Sequence, residues 1–92
     1  MSHPGPEHVQ AVADEQRRLR RLRAVVDLTT AVLMQGRLTP EEAQEVVAAA
    51  RQQALRLFPD KEETYDLILA PRFARLIREF VQPARVLPFR RR

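Results

Sequence analysis

The most prominent candidate for chemistry is an arginine-rich run at residues 17–23, RRLRRLR. On a helix its two leucines face inward, and the five arginines spread over the other side. Such a face can contact phosphate groups, which makes four residues candidates for nucleic-acid binding: Arg17, Arg18, Arg20 and Arg21. The alternative is a solvated face whose arginines pair with Asp14, Glu15 or the acidic middle of the chain. The run has no nearby aromatic residue and no DNA-reading motif, which favours this alternative.

A second set of arginines lies near the C-terminal end. Arg72, Arg75 and Arg78 are three residues apart on a predicted helix, and residues 71–92 carry a net charge of +6. This end could bind nucleic acid or an acidic protein surface. Alternatively, it complements a helix dipole and keeps the tail soluble. The last three residues join the nucleic-acid candidates: Arg90, Arg91 and Arg92.

Four carboxylates cluster in the middle of the chain: Asp60, Glu62, Glu63 and Asp66. Asp60 and Glu63 are explained as helix caps, and early acidic residues suit a helix N-terminus. His3 and His8 are both far from this cluster in sequence. We therefore expect no metal site and no cofactor.

Catalytic groups are scarce. The chain has no cysteine, a single serine and no glycine-rich phosphate loop. Tyr65 is more typical of a half-buried aromatic residue than of a catalytic acid. We predict that the protein is not an enzyme.

Length and composition predict one small all-α domain. The chain has 92 residues, rich in strong helix formers and with two glycines. A domain of this size buries only about 60–65% of its unfolded surface, and no disulfide can stabilise it. Oligomerisation is the remaining common route to stability, so we expect a homodimer.

Charge is distributed unevenly along the chain. Residues 1–37 carry a net charge of +2, residues 38–70 carry −4 and residues 71–92 carry +6. This pattern favours charge pairing between the segments, within one chain or between two.

After a disordered leader at residues 1–6, the first helix is predicted from Pro6 or Glu7 to Gln35, with Gly36 as its C-cap. Its first half has a narrow apolar stripe and should project or pair along one seam. One heptad position along the helix is apolar throughout, at Val12, Leu19, Val26 and Leu33. Its second half is apolar nearly all round and should lie at the centre of a bundle. We expect dimerisation through this second half or through the alanine face of the second helix.

The second helix has strong start signals. Thr39 is the predicted N-cap, Pro40 stands at the first helical position, and Glu42 completes a capping box. The helix should run to about Leu57 and form an antiparallel hairpin with the first helix.

The C-terminal part is predicted to form two short helices. Phe58-Pro59 ends the second helix, and Asp60 caps a third helix at residues 61–69. The apolar side of this third helix is predicted to be Tyr65, Leu67, Ile68 and Leu69. Pro71 should break the chain at Leu69-Ala70 and begin a fourth helix, which ends near Gln82. Residues 83–92 form an extended basic tail, and the single helical domain spans residues 7–82.

No apolar segment is long enough for a signal peptide or a membrane span, so we expect a cytoplasmic protein that contacts no membrane. We predict a non-enzymatic helical interaction module that binds a protein partner or itself. The alternative is a nucleic-acid-binding protein. The candidate partner-binding residues surround the predicted break: Tyr65, Asp66, Arg72, Arg75 and Arg78.

Overall fold

A computed structural model describes residues 6–81, and it contains three α-helices. They are α1 (Pro6–Met34), α2 (Pro40–Leu57) and α3 (Glu62–Phe80). No strand occurs within the described residues, so the all-α prediction is confirmed. The predicted leader and basic tail lie outside the described residues, apart from Pro6.

The connection between α1 and α2 follows the predicted local rules. Gly36 has a positive φ of 68°, a conformation that glycine adopts without a steric penalty. The Thr39 hydroxyl accepts a hydrogen bond from the Glu42 amide at 3.1 Å. In return, the Thr39 amide donates to the Glu42 carboxylate at 3.0 Å. This capping box and Pro40 at the first helical position fix the start of α2.

The connection between α2 and α3 differs from the prediction. Helix α2 ends at Leu57 with Phe58 as its C-cap, as predicted, but Asp60 does not cap α3. The N-cap is Lys61, which makes no side-chain capping bond. The Lys61 amide donates to the Phe58 carbonyl at 3.1 Å and closes a tight turn. Asp60 lies inside this turn, one residue too early to cap the helix.

The predicted break at Leu69-Ala70 is wrong, because α3 continues through Pro71 as one helix. Tyr65 before the proline and Phe73 after it are both buried in the same core. Breaking the helix would remove one of them from that core, which outweighs the local cost of about 3 kcal/mol for an interior proline. Pro71 itself lies on the exposed side of the helix. Water can therefore hydrate the carbonyl group that loses its amide donor.

The core is small and rich in alanine. Leu33 and Phe73 are completely buried, and smaller or partly polar residues surround them. The buried hydrophobic residues are Leu33, Ala43, Ala50, Ala54, Tyr65, Phe73 and Val81, and the polar Thr29 is buried as well. The three alanines form one face of α2 and are buried in the core that the three helices share. This face is consequently not available to a second chain.

The three helices run up, down and up. At one end of the bundle, a Cβ atom on Gly36 would lie 2.8 Å from the Phe80 carbonyl oxygen. At the other end, the Arg18 guanidinium lies 5.6 Å from the centre of the Phe58 ring. We call the first the closed end and the second the open end. Since Arg18 of α1 meets the end of α2, the preceding residues of α1 extend past the bundle.

This extension follows from helix length. Helix α1 has 29 residues and α2 has 18, or about 43 Å against about 27 Å at 1.5 Å per residue. Residues 6–17 therefore form an overhang of about 18 Å. The prediction that the first half of α1 projects from the bundle agrees with this geometry.

Candidate interaction surface at the open end

One apolar stripe follows α1, and the exposure of its side chains increases from the closed end towards the overhang. Val12, Leu19, Val26 and Leu33 are seven residues apart and therefore share a face of the helix. Leu33 is completely buried and Val26 is partly buried, whereas Leu19 is 48% exposed and Val12 is 43% exposed. The same face is thus covered by α2 and α3 near the closed end and uncovered on the overhang.

An apolar groove opens where this stripe leaves the bundle. Its volume is about 320 Å³. All three helices contribute apolar side chains to it, chiefly Leu19, Leu22, Leu55, Phe58, Ile68 and Leu69. Ile68 is 62% exposed, although it is part of the wall. The groove and the overhang stripe are continuous through Leu19, so they form one apolar surface at the open end.

Tyr65 lines this groove and carries an unusual polar atom. The residue is 5% exposed and lines the wall, and its buried hydroxyl has no hydrogen-bond partner among the described residues. Burial raises the pKa of this hydroxyl, and the nearby positive charge of Arg51 opposes that rise only in part. A buried hydroxyl without a partner is energetically costly, and the protein covers this atom so that the groove wall itself is apolar.

An ion-pair cluster holds α2 and α3 together beside the turn. The Arg51 guanidinium donates to the Asp66 carboxylate at 3.1 Å through Nε and to Glu62 at 2.7 Å. A second bond of 3.1 Å joins Arg51 and Asp66, so this pair is bidentate. The hydrogen bonds from Arg51 lower the pKa of Asp66 and, in return, raise the pKa of Arg51.

The predicted partner-binding residues do not form one corner. Tyr65 faces the core and the groove, whereas Asp66 is turned towards Arg51 of α2. Arg72 is six residues after Asp66 on an unbroken helix, which separates them by about 120° around the axis. Arg75 and Arg78 are exposed further along α3. Only Tyr65 of the five belongs to the open-end groove.

The arginine-rich run lies at the base of the overhang. Arg17 pairs with Asp14, as the solvated-face alternative predicts. Arg18 lies over the Phe58 ring, an aromatic contact that the sequence did not indicate. Arg20 and Arg21 are exposed, and no ion pair involves them within residues 9–81. Arg90, Arg91 and Arg92 lie outside the described residues.

The expected pairing between charge segments is not observed in the described part of the chain. Arg51, Glu62 and Asp66 all belong to the acidic middle segment, and Asp14 and Arg17 both belong to the first segment. Glu62 and Asp66 belong to the acidic cluster seen in the sequence, and both form ion pairs with Arg51. The basic face of α1 therefore keeps most of its charge at the surface.

Sequence reasoning missed the groove and Arg51. It assigned Leu67 and Ile68 to the apolar side of a short helix, but they are 70% and 62% exposed. The stripe through Val12 and Leu19 was visible as a heptad spacing. Its exposure was not, because exposure depends on how far α2 extends along α1. The sequence has no signal that selects Arg51 from the other arginines.

No helix within residues 6–81 combines the length and hydropathy that a membrane crossing requires. No protein-family model matches the chain, and neither a curated protein nor a solved structure is significantly similar to it. The open-end surface is therefore the principal basis for assigning a function.

Proposed function

We propose that this protein is a non-enzymatic helical interaction module whose binding site is the open end. The observation that carries the proposal is the continuous apolar surface from the overhang stripe into the groove. Side chains as large as Leu19 and Ile68 are about half exposed or more within it. Large contiguous apolar surfaces that a fold leaves uncovered are typical of protein-binding sites.

The shape of the surface indicates the kind of partner. A narrow groove between helices, open at one end and extended by a helical stripe, suits an amphipathic helix better than a small molecule. Its anchors would be apolar side chains spaced at i, i+3 and i+4.

Two neighbouring residues of α3 provide a matched test. Ile68 lines the groove, and Leu67 is equally exposed but lies outside it. Tagged full-length chains carrying Ile68→Asp or Leu67→Asp are expressed in the native cell beside an untagged copy. We expect Ile68→Asp to lose the proteins, including untagged copies, that purify with the unmodified chain, and Leu67→Asp to keep them. Equal recovery with both variants would contradict the proposal.

Nucleic-acid binding is a second candidate, and it is favoured by the exposure of Arg20 and Arg21, which make no ion pair among the residues that the structure describes. Such binding releases counterions and should weaken steeply between about 50 and 200 mM salt. Replacing Arg17, Arg18, Arg20 and Arg21 by Gln should abolish it. If that variant binds equally well, the α3 arginines become the candidates. A gel shift at physiological salt that shows no complex removes this candidate function.

A further inference from the structure

We propose that the open end binds a second copy of this chain, with the two α1 overhangs antiparallel. This inference rests on the proposed interaction surface and specifies its occupant. In this arrangement, Val9 and Val12 of each copy lie against the groove of the other. The pair is related by a two-fold axis, so each copy provides both a helix and a groove.

The overhang has the features that the groove requires of its occupant. Val9, Val12 and Ala13 stand at i, i+3 and i+4 on α1, the anchor spacing of a helix bound in a groove. Val9 is 57% exposed and Val12 is 43% exposed, so both are accessible before association. Stripe and groove are joined through Leu19 on each copy, so a single two-fold contact covers both surfaces at once.

Charge determines the direction of the two helices. Residues 6–16 contain three carboxylates (Glu7, Asp14 and Glu15) and no lysine or arginine. Residues 17–23 contain five arginines and no carboxylate. An antiparallel pair places each acidic segment beside the basic segment of the other copy. A parallel pair would place five arginines beside five arginines, which is strongly unfavourable.

The same arrangement gives the arginine-rich run a role that does not involve nucleic acid. Arg20 and Arg21 make no ion pair within the described residues of one chain, and a second overhang would bring carboxylates to them. Rim charges of this kind mainly set orientation and specificity, while the apolar contacts supply most of the affinity.

Sedimentation equilibrium of the purified full-length chain provides the test. At micromolar concentration we expect the mass of two chains. Val12→Asp should raise the dissociation constant roughly 10- to 100-fold, because it places an unpaired carboxylate in the contact. Leu28→Asp is the matched control, since Leu28 is 66% exposed on the opposite side of α1. It should leave the dimer intact.

Charge reversal tests the antiparallel direction separately from folding. One variant carries all five changes, Asp14→Arg, Glu15→Arg, Arg20→Glu, Arg21→Glu and Arg23→Glu, so its two segments exchange the signs of their charges. In an antiparallel pair each segment still meets its opposite, so we expect this variant to dimerise with itself. It should not pair with the unmodified chain, because like charges would then face each other along both segments. A mixture that forms dimers of one chain of each kind would show that the overhangs are parallel, and the proposal would be wrong.

The outcomes also separate this inference from the proposed function. An unmodified chain with the mass of one copy overturns self-association but leaves an unrelated helical partner possible. In that case, Ile68→Asp would still lose co-purifying proteins in the cell. A dimer that Leu28→Asp disrupts and Val12→Asp does not would place the contact on the second half of α1 and overturn the inference.

Discussion

The two ends of this bundle use the same three helices in opposite ways. At the closed end, Gly36 packs onto the Phe80 carbonyl, a capping box starts α2, and Leu33 is completely buried. At the open end, α3 begins without a side-chain cap, and Leu19 and Ile68 remain largely exposed around a groove. The bonds and buried contacts named for the closed end all come from one chain. The open end has apolar surface that a second polypeptide can cover, so stability and binding are separated along the bundle axis.

This division predicts that Leu33→Ala has the largest effect on folding. Leu33 is fully buried, and removing such a side chain typically costs about 2–5 kcal/mol in the free energy of unfolding. In a domain this small, that is a large share of the total stability. Urea denaturation followed by circular dichroism measures the loss. Leu28→Ala, a mostly exposed residue of the same helix, should stay within about 0.5 kcal/mol of the unmodified chain. Comparable losses in the two variants would contradict the packing described for α1.

Gly36→Ala should have the next largest effect, because two independent costs add. The positive φ of 68° costs an alanine about 1–2 kcal/mol. The added Cβ atom would also lie 2.8 Å from the Phe80 carbonyl oxygen, so the end of α3 would have to move. We expect a loss of roughly 2 kcal/mol or more in unfolding free energy. An unchanged melting curve would show that α3 does not pack against this turn.

Thr39→Ala also affects the closed end, with a smaller loss in the free energy of unfolding. The variant removes the hydroxyl that accepts a hydrogen bond from the Glu42 amide. Loss of an N-cap typically costs about 1 kcal/mol in the free energy of unfolding. At the open end, Asp60→Ala should cost less than about 0.5 kcal/mol, since Asp60 does not cap α3. Chemical denaturation of both variants measures the difference. An equal loss for Asp60→Ala would restore the capping role that the structure does not support.

The two ends also differ in how far the sequence predicts them. Gly36, Thr39 and Pro40 act through bonds within a few residues of themselves, so their roles follow from local rules. The same kind of rule failed at Asp60 and Pro71. A tight turn between Phe58 and Lys61 places Asp60 one residue before the N-cap of α3. Pro71 lies inside α3 because Tyr65 and Phe73, on either side of it, are buried in one core. Both outcomes depend on tertiary packing, which single-sequence patterns do not contain.

The groove, too, could be predicted only in part from the sequence, because its exposure depends on tertiary packing. The heptad spacing of Val12 and Leu19 identified the stripe, and the run at residues 17–23 identified the charge beside it. Neither could show where α2 ends relative to α1, and that length difference exposes the stripe. Tyr65 was selected from the sequence because of a predicted helix break, and that break does not exist. Its place in the groove wall comes from the continuity of α3.

The smallest predicted effect is a pH dependence at the open end. Hydrogen bonds from Arg51 lower the pKa of Asp66 in the folded protein. Because the unfolded chain takes up this proton more readily, the ion pair stabilises the fold fully above the ordinary carboxyl value of about 3.9. That stabilisation is lost as the pH falls through the lower folded value. Stability should therefore rise with pH across the acidic range.

Asp66→Asn should make this rise shallower, which urea midpoints measured across the acidic range would show. The effect is small because Asp66 and Arg51 are both substantially exposed, with 48% and 38% of their side-chain surfaces accessible. Asp60→Asn is the matched control, since no ion pair involves Asp60 within the described residues. If both variants keep the slope of the unmodified chain, the Arg51 cluster does not hold α2 and α3 together in solution. The buried core that includes Ala54, Tyr65 and Phe73 would then fix the relative position of these two helices.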